Sequence, residues 1–115
     1  MPSSAAERPA RKAKKGLETS LMRAIHDTLV ASGVTLWRNN CGVAKWENGA
    51  RTRYGLGLGS ADLVGCYKGR FIAIEVKATT GQSDAQVCWQ CAVERAGGLY
   101  VLAYDVETAV RAVLG

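Results

Sequence analysis

The sequence contains no long uninterrupted run of apolar residues. None of its apolar segments approaches the ~20 residues that a helix needs to cross a bilayer, so no membrane partner is expected. The N-terminus also lacks the apolar segment of a secretory signal. Histidine is nearly absent, and His26, the one histidine, is assigned no role. We therefore expect a cytoplasmic protein, and its 115 residues favour a single domain with a core of its own.

Cysteine is present, but in a pattern that fits neither of its usual structural uses. The four positions are Cys41, Cys66, Cys88 and Cys91. Without a secretory signal disulfides are not expected, and a structural zinc site usually needs two close pairs, whereas only "CWQC" forms one. Because Cys88 and Cys91 stand at i and i+3 in a predicted helix, we expect them in a buried stripe with Val87 and Ala92. A zinc or redox protein that uses the four thiols is the alternative.

Positive charge is concentrated at the N-terminus. The formal net charge is +5, and residues 1–16 hold five basic residues against one acidic residue, Glu7. A stretch so rich in Ala, Ser and Pro cannot bury enough apolar area to fold alone, so we predict a flexible basic tail at residues 1–16 and a folded domain at residues 17–115. The tail is either an arm for nucleic-acid phosphates or a solubilising leader. Its candidate phosphate contacts are Arg11, Lys12, Lys14 and Lys15.

Hydrophobic periodicity and turn signals predict an α/β fold in the order α-β-β-β-α-β-α. The predicted helices cover residues 17–31, 83–96 and 106–114, and the predicted strands cover residues 34–40, 62–66, 71–77 and 99–104. The two strands that flank "YKGR" should form an antiparallel hairpin. The last strand follows a helix and should lie parallel to its predecessor, so the sheet is predicted to be mixed and flanked by helices.

Residues 41–60 are rich in glycine and predict a hairpin or irregular loops. The run "GLGLGS" lacks the G-x-G-x-x-G spacing of a dinucleotide-binding fingerprint and does not clearly join a strand to a helix. Either these glycines form a flexible turn, or they permit close approach to a phosphate backbone because they carry no side chain that would block contact.

Two acidic residues are placed to meet at one end of the predicted hairpin. Side chains alternate along a strand, so Glu75 and Lys77 share a face, and Asp62 begins the neighbouring strand near the end of residues 71–77. Two facing carboxylates repel unless one is protonated or a cation lies between them. A hard cation such as Mg²⁺ takes one or two carboxylates, and Lys77 would neutralise charge developing on a phosphate or hold the attacking water. The simpler alternative is a Glu–Lys ion pair at a sheet edge.

Several motifs are linked along residues 17–104. They are Glu18 in the first predicted helix, "LWRNN", "RYGLGLGSADLVG", "GRFIAIEVKATTGQSDAQ" and "GGLYV". Together they resemble the VRR-NUC domain, a branch of the PD-(D/E)xK nuclease superfamily. Two features depart from that pattern, because Ala61 stands where the superfamily has a proline before its acidic residue, and no literal Val-Arg-Arg is present.

The resemblance implies a restriction-endonuclease-like fold and a Mg²⁺- or Mn²⁺-dependent endonuclease that hydrolyses phosphodiester bonds in DNA. The implied catalytic residues are Asp62, Glu75, Lys77, Glu18 and Gln86. Asp62, Glu75 and the backbone carbonyl of Val76 would be the metal ligands, and Lys77 would assist the nucleophilic water. Glu18 would complete the site through the metal or through water.

Gln86 has two interpretations that the sequence leaves open. The resemblance implies that it orients Lys77 or the attacking water. Its spacing from Ser83 fits a capping box at the start of a helix equally well.

The resemblance also suggests a substrate and a partner. Small stand-alone members resemble viral or phage proteins, which would act in a bacterial host cell, and tend to form homodimers. Two sites related by a two-fold axis would suit a four-way (Holliday) junction, which needs two cuts. Flap- or nick-directed cleavage and DNA binding by the same fold without catalysis are the alternatives. The candidate DNA contacts are Arg38, Lys45, Arg51, Arg53 and Ser60, whereas Trp37, Trp46 and Tyr54 are expected in the core or at a dimer interface.

Overall fold

The structure, a computed structural model, describes the backbone of residues 7–115 and the side chains of residues 15–115. The helices are α1 (Glu7–Ala31), α2 (Asp84–Arg95) and α3 (Val106–Leu114). The strands are β1 (Thr35–Arg38), β2 (Gly42–Lys45), β3 (Arg51–Tyr54), β4 (Leu63–Tyr67), β5 (Arg70–Val76) and β6 (Leu99–Ala103). A four-stranded sheet has the order β1-β4-β5-β6, and β2 and β3 form a separate two-stranded sheet.

The four-stranded sheet is mixed, as predicted. β4 pairs antiparallel with both β1 and β5, and β5 pairs parallel with β6. A two-residue turn joins β4 to β5, and its residues Lys68 and Gly69 have φ angles of 50° and 77°. Two positive φ angles match the right-handed twist of a hairpin, and a glycine adopts one of them without strain. The predicted order is incomplete, because the glycine-rich segment contributes β2 and β3 as an additional antiparallel hairpin.

The helices cover the two faces of this sheet unequally. α1 and α3 lie on one face and bury a large apolar core that includes Ile25, Leu29 and Ile74. α2 lies on the other face over a smaller core that includes Ala73 and Val93. The alternation along β5 produces this division, because Ile72, Ile74 and Val76 point to α1 and α3 while Ala73 and Glu75 point the other way. The functional carboxylates predicted from the sequence therefore belong to the smaller face.

The first helix begins ten residues earlier than predicted. α1 starts at Glu7, so the backbone of residues 7–16 is helical, while residues 1–6 and the side chains of residues 7–14, which include the predicted phosphate contacts Arg11, Lys12 and Lys14, lie outside the described residues. Most residues of this stretch are good helix formers such as Ala, Lys and Arg, and Pro9 falls in the first turn, where its missing N–H costs no hydrogen bond. Within residues 7–115, no helix is long and apolar enough to span a membrane.

Candidate active site

Two carboxylates lie together at the end of the β4–β5 hairpin. The strands pair Leu63 with Ile74, so the next residues in register, Asp62 and Glu75, fall side by side on the face that α2 covers. The backbone amide of Val76 donates to Oδ2 of Asp62 at 2.8 Å and holds that carboxylate in place. The chain thus brings together the two acidic residues singled out in the sequence, whereas Val76 contributes its amide to this contact and the role of its carbonyl stays a prediction.

Glu75 is the one charged residue buried among the side chains described, with 4% of its surface exposed. Its Oε1 accepts a hydrogen bond from Gln86 Nε2 at 3.1 Å, and Lys77 Nζ lies 3.9 Å from the same oxygen. Its Oε2 is buried without a hydrogen-bond partner. The pKa of Glu75 is raised from its ordinary value of 4.5 to about 8, chiefly by burial and next by the negative charge of Asp62, while the Lys77 ammonium acts in the opposite direction.

Gln86 fulfils one of its two sequence interpretations and modifies the other. The Oε1 of Gln86 accepts from the backbone amide of Ser83 at 2.8 Å, and the backbone amide of Gln86 donates to Ser83 Oγ, so the capping box is complete. Its Nε2 is left free to donate to Glu75. The side chain therefore ties the first turn of α2 to the carboxylate, and it contacts Glu75 where the sequence analysis expected Lys77 or water.

Glu18 lies on the opposite side of Asp62 from α2. Its Oε1 accepts from the backbone amide of Ala78 at 3.2 Å, which joins α1 to the chain just beyond β5. Glu18 and Asp62 line one small pocket of about 160 Å³ together with Lys15 and Arg38. Glu18 is thus close to the carboxylate pair, and a ligand in this pocket could contact both Glu18 and Asp62.

A larger pocket opens on the other side of the carboxylates, with a volume of about 310 Å³. Asp62, Glu75 and Gln86 form its floor, and the β2–β3 hairpin and residues 57–60 form its walls, where Arg53 places a positive charge. Gly59 is pressed against the first turn of α2, since a Cβ added to it would lie 2.3 Å from the carbonyl oxygen of Ala85. Its φ of +80° independently favours glycine. The glycine loop is therefore a wall of the site and contacts the helix that carries Gln86.

The predicted DNA contacts separate into three groups. Arg38 and Arg53 each line a pocket that also includes Asp62. Lys45 and Arg51 face each other across the far end of the β2–β3 hairpin and line neither of these pockets. Ser60 lines the pocket that contains Arg53, its hydroxyl donates to the Gly57 carbonyl at 2.7 Å, and its contact with DNA stays a prediction.

Asn39 was not singled out for a role, although it belongs to the motif "LWRNN". Its Nδ2 donates to Ser60 Oγ at 2.8 Å and to the carbonyl of Ala61 at 2.9 Å, and its Oδ1 accepts from the amide of Leu56 at 3.3 Å. Asn39 thereby fastens the glycine loop to the sheet next to Asp62. The available signal was an amide side chain directly after a predicted strand, where asparagine commonly organises loops.

Tyr100 and Gln82 form a second polar contact on the small face that sequence reasoning missed. Gln82 Nε2 lies 3.2 Å from the Tyr100 hydroxyl and donates to Gln90 Oε1 at 2.9 Å. Burial raises the pKa of Tyr100 to about 12, and the negative charge of Glu75 acts in the same direction. The phenol is thus a neutral neighbour of the carboxylates.

Two groups of residues for which a core position was expected lie at the surface, and for the three aromatic residues the alternative, a dimer interface, stays a prediction. Trp37, Trp46 and Tyr54 are 58%, 57% and 48% exposed, because β1 is an edge strand and the β2–β3 hairpin stands apart from the main sheet. Cys88 and Cys91 are also exposed, as are Cys41 and Cys66. The stripe of α2 that faces the sheet includes Trp89 and Val93 instead, so the predicted burial of the C-x-x-C pair is wrong.

The carboxylate pair fits a hard divalent cation. Among the residues whose side chains are described, no group of three or more His, Cys, Asp or Glu side chains is close enough to hold a metal ion. Mg²⁺ nevertheless needs only one or two carboxylates when water and phosphate oxygens supply the remaining ligands. The unpartnered Oε2 of Glu75 and the negative charge of Asp62 beside it mark a place where positive charge would be stabilised. Asp62 and Glu75 are accordingly the residues that would hold the ion.

Neither the models of known protein families nor the curated proteins contain a match to this chain. The resemblance to VRR-NUC domains therefore stays a prediction, which rests on the motif residues that carry it.

Proposed function

We propose that the chain is a metal-dependent endonuclease that hydrolyses phosphodiester bonds in DNA. The observation that carries the proposal is the pair Asp62 and Glu75, in which a buried carboxylate oxygen has no partner and lies beside a second carboxylate at the floor of an open pocket. An ion pair at a sheet edge does not account for this arrangement, since Lys77 approaches only Oε1 and no closer than 3.9 Å. A cation with phosphate oxygens as its other ligands does account for it.

Each side chain of the site has a defined contribution in this proposal. The Val76 amide and Gln86 fix the orientations of Asp62 and Glu75, so that the two carboxylates are arranged before substrate binds. Lys77 holds a positive charge beside Glu75, where it would stabilise negative charge that develops on the phosphate. Mg²⁺ or Mn²⁺, when bound, supplies positive charge to a phosphoryl oxygen and eases ionisation of the attacking water.

The charge around the two pockets favours a polyanion as substrate. Lys15 and Arg38 line the pocket on the α1 side of Asp62, and Arg53 lines the pocket on the hairpin side. Basic side chains on both sides of the carboxylates would contact successive phosphates of one strand and fix its position without reading its sequence.

The proposed substrate is branched DNA, such as a four-way (Holliday) junction cut by a homodimer. Two sites related by a two-fold axis match the near two-fold symmetry of a junction, which needs two cuts. Flap- and nick-directed cleavage are distinguished from junction cleavage by the same experiment.

Cleavage of a labelled panel tests the proposal. The panel contains single strand, duplex, 5′ flap, 3′ flap, nicked duplex and four-way junction, each with Mg²⁺, Mn²⁺ or EDTA. Wild type is compared with Glu75→Gln, which removes the buried ionisable carboxyl group at constant size, and with Glu47→Gln, the same change on an exposed side chain of the β2–β3 turn. We expect metal-dependent cutting that Glu75→Gln abolishes and Glu47→Gln leaves intact.

If wild type cuts none of the substrates, DNA binding measured in Ca²⁺ distinguishes the possible reasons. Wild type that binds branched DNA but never cuts it in any divalent metal would be a DNA-binding module of this fold without catalysis. Wild type that neither binds nor cuts any substrate would refute the proposal, provided that circular dichroism shows a folded chain.

A further inference from the structure

The face of α2 that points away from the sheet carries a regular set of exposed side chains. They are Asp84, Cys88, Cys91 and Arg95. Their spacing of four, three and four residues places them in one row along the helix, because residues three and four apart are neighbours on a helix surface. Val93, on the opposite side, is buried against the sheet. None of these four side chains lines the carboxylate pockets.

The two thiols at the centre of the row form half of a metal site. Cys88 and Cys91 are one turn apart, free and exposed, so both sulfur atoms can bind the same ion. Zn²⁺ in structural sites takes four ligands in a tetrahedron, and cysteine is its preferred sulfur ligand. Within the described part of the chain no third His, Cys, Asp or Glu completes the set. A closed four-ligand site would therefore need two further ligands from another molecule.

The spacing of the four side chains is the same from either end of the row, with a cysteine pair in the centre and charges of opposite sign at the two ends. If two copies of α2 pack antiparallel about a two-fold axis between the cysteines, the thiols of one copy face those of the other. The same operation places Asp84 of each copy opposite Arg95 of the other, so the charges are complementary at both ends. The partial charges of the two helix termini are also paired with their opposites in this arrangement. Among possible partners, a second copy is the one that supplies all of these groups at once.

We propose that α2 is a dimerisation surface that is closed by Zn²⁺, with Cys88 and Cys91 of two copies as the four thiolate ligands. Each thiol releases its proton to solvent when it binds the ion. Four thiolates leave an excess of negative charge around Zn²⁺, and the Arg95 guanidinium groups of the two copies lie one turn away to offset it. Val87 is 43% exposed and Ala92 is exposed, and both flank the row with apolar surface.

The size of the surface makes the ion essential. α2 has 12 residues, and one face of it is smaller than the ~800 Å² per partner that a stable interface usually buries. Dimerisation through α2 is therefore expected to depend on Zn²⁺. The proposal is independent of nuclease activity, since none of its four residues lines the pockets beside Asp62.

The test uses the full chain, freed of metal with a chelator and kept reduced with a phosphine. Zn²⁺ is titrated while light scattering reports molar mass, and Co²⁺ is used as a probe because thiolate ligands give it a strong charge-transfer absorption. We expect one ion per two chains, a doubling of mass on Zn²⁺ addition, and a Co²⁺ spectrum of four thiolates. One ion bound per monomer without a change of mass, or no binding at all, would overturn the proposal.

Two sets of variants locate the site. Cys88→Ser with Cys91→Ser should weaken Zn²⁺ binding at least about 100-fold and abolish the mass change, because metal affinity depends on the ligands themselves. Cys41→Ser with Cys66→Ser is the matched control, since these thiols are also free and exposed but lie outside α2 and should change neither result. Equal Zn²⁺ affinity in the two double variants would contradict the proposed ligands.

The charges give a test that leaves the thiols in place. Asp84→Arg or Arg95→Asp alone should weaken Zn²⁺-dependent dimerisation about tenfold, because each places like charges opposite each other in the antiparallel pair. The two changes together restore complementarity and should recover most of the loss. Failure of the double change to recover dimerisation, with the single changes weakening it, would exclude the antiparallel arrangement and overturn the proposal.

Discussion

The two faces of the four-stranded sheet bury different chemistry. The face under α1 and α3 is entirely apolar, with Ile25, Leu29 and Ile74 fully enclosed. The face under α2 has a smaller apolar core and continues into Glu75, which is also buried but carries an ionisable carboxyl group and lines a pocket. The first face buries the larger apolar core. The second face keeps a carboxyl group in an environment that favours its neutral form, and perturbed pKa values of this kind are common at functional sites.

The largest effect is expected from a change on the apolar face. Ile74→Ala removes a side chain with 0% exposure and leaves a cavity between the sheet and the helices, so the free energy of unfolding should fall by about 2–5 kcal/mol. Urea denaturation followed by circular dichroism measures it. Val43→Ala on the exposed β2–β3 hairpin should change the same quantity by less than about 0.5 kcal/mol. Similar losses for the two variants would mean that the stabilising core is elsewhere.

The second prediction concerns Glu75, whose burial should make the stability of the folded chain depend on pH. With its pKa at about 8, the folded chain keeps this proton over a range where the unfolded chain, with the ordinary value of 4.5, has lost it. The folded state then binds more protons, so stability falls as pH rises from about 4.5 to about 8. In EDTA, the Tm of wild type should fall relative to that of Glu75→Gln by more than about 5 °C between about pH 5 and pH 8. Parallel Tm curves for the two proteins would show that burial does not hold the proton.

A smaller effect on stability is expected from variants that distinguish the contact of Gln86 with Ser83 from its contact with Glu75. Ser83→Ala removes the side-chain cap of α2 but leaves the Gln86–Glu75 hydrogen bond, so it should cost about 1 kcal/mol of stability without lowering DNA cleavage. Gln86→Ala should cost a similar amount and also lower cleavage, because Glu75 loses its donor. Thermal unfolding and the cleavage assay together check both outcomes. Equal cleavage by the two variants would reduce Gln86 to a capping residue.

The smallest effect is expected from the charges at the pocket wall. Arg53→Ala should reduce the salt dependence of DNA binding, measured by fluorescence anisotropy in Ca²⁺, by about one unit of log–log slope for one lost phosphate contact. Arg111→Gln changes the same net charge on α3, away from both pockets, and should leave the slope unaltered. A slope that changes equally in both variants would indicate an effect of overall charge.

The sheet and its acidic residues were predictable because they depend on local rules. Alternation with a period of two places Glu75 opposite to Ile74, and a two-residue turn sets the register that brings Asp62 beside it. The orientation of α2 was not predictable in the same way. Cys88 and Cys91 are apolar enough for a core, and only the packing of Trp89 and Val93 on the sheet decides that the thiols face outward.

Other departures have equally specific causes. The length of α1 was underestimated because a charged, alanine-rich segment is compatible with both disorder and a helix. Since this segment continues directly into a helix that packs on the sheet, the helical conformation is favoured. The hydrogen bonds of Asn39 join positions more than fifteen residues apart, which no local pattern reveals.

Asp62 lines both pockets, the one beside α1 and the one beside the β2–β3 hairpin. A DNA strand laid across it as proposed would meet different parts of the chain upstream and downstream of the bond to be cut. Substitutions in α1 and in the hairpin would then alter the handling of the two product ends independently. Substitutions could therefore change the affinity for one product end, and with it the order in which the products dissociate, while the carboxylates stay unchanged.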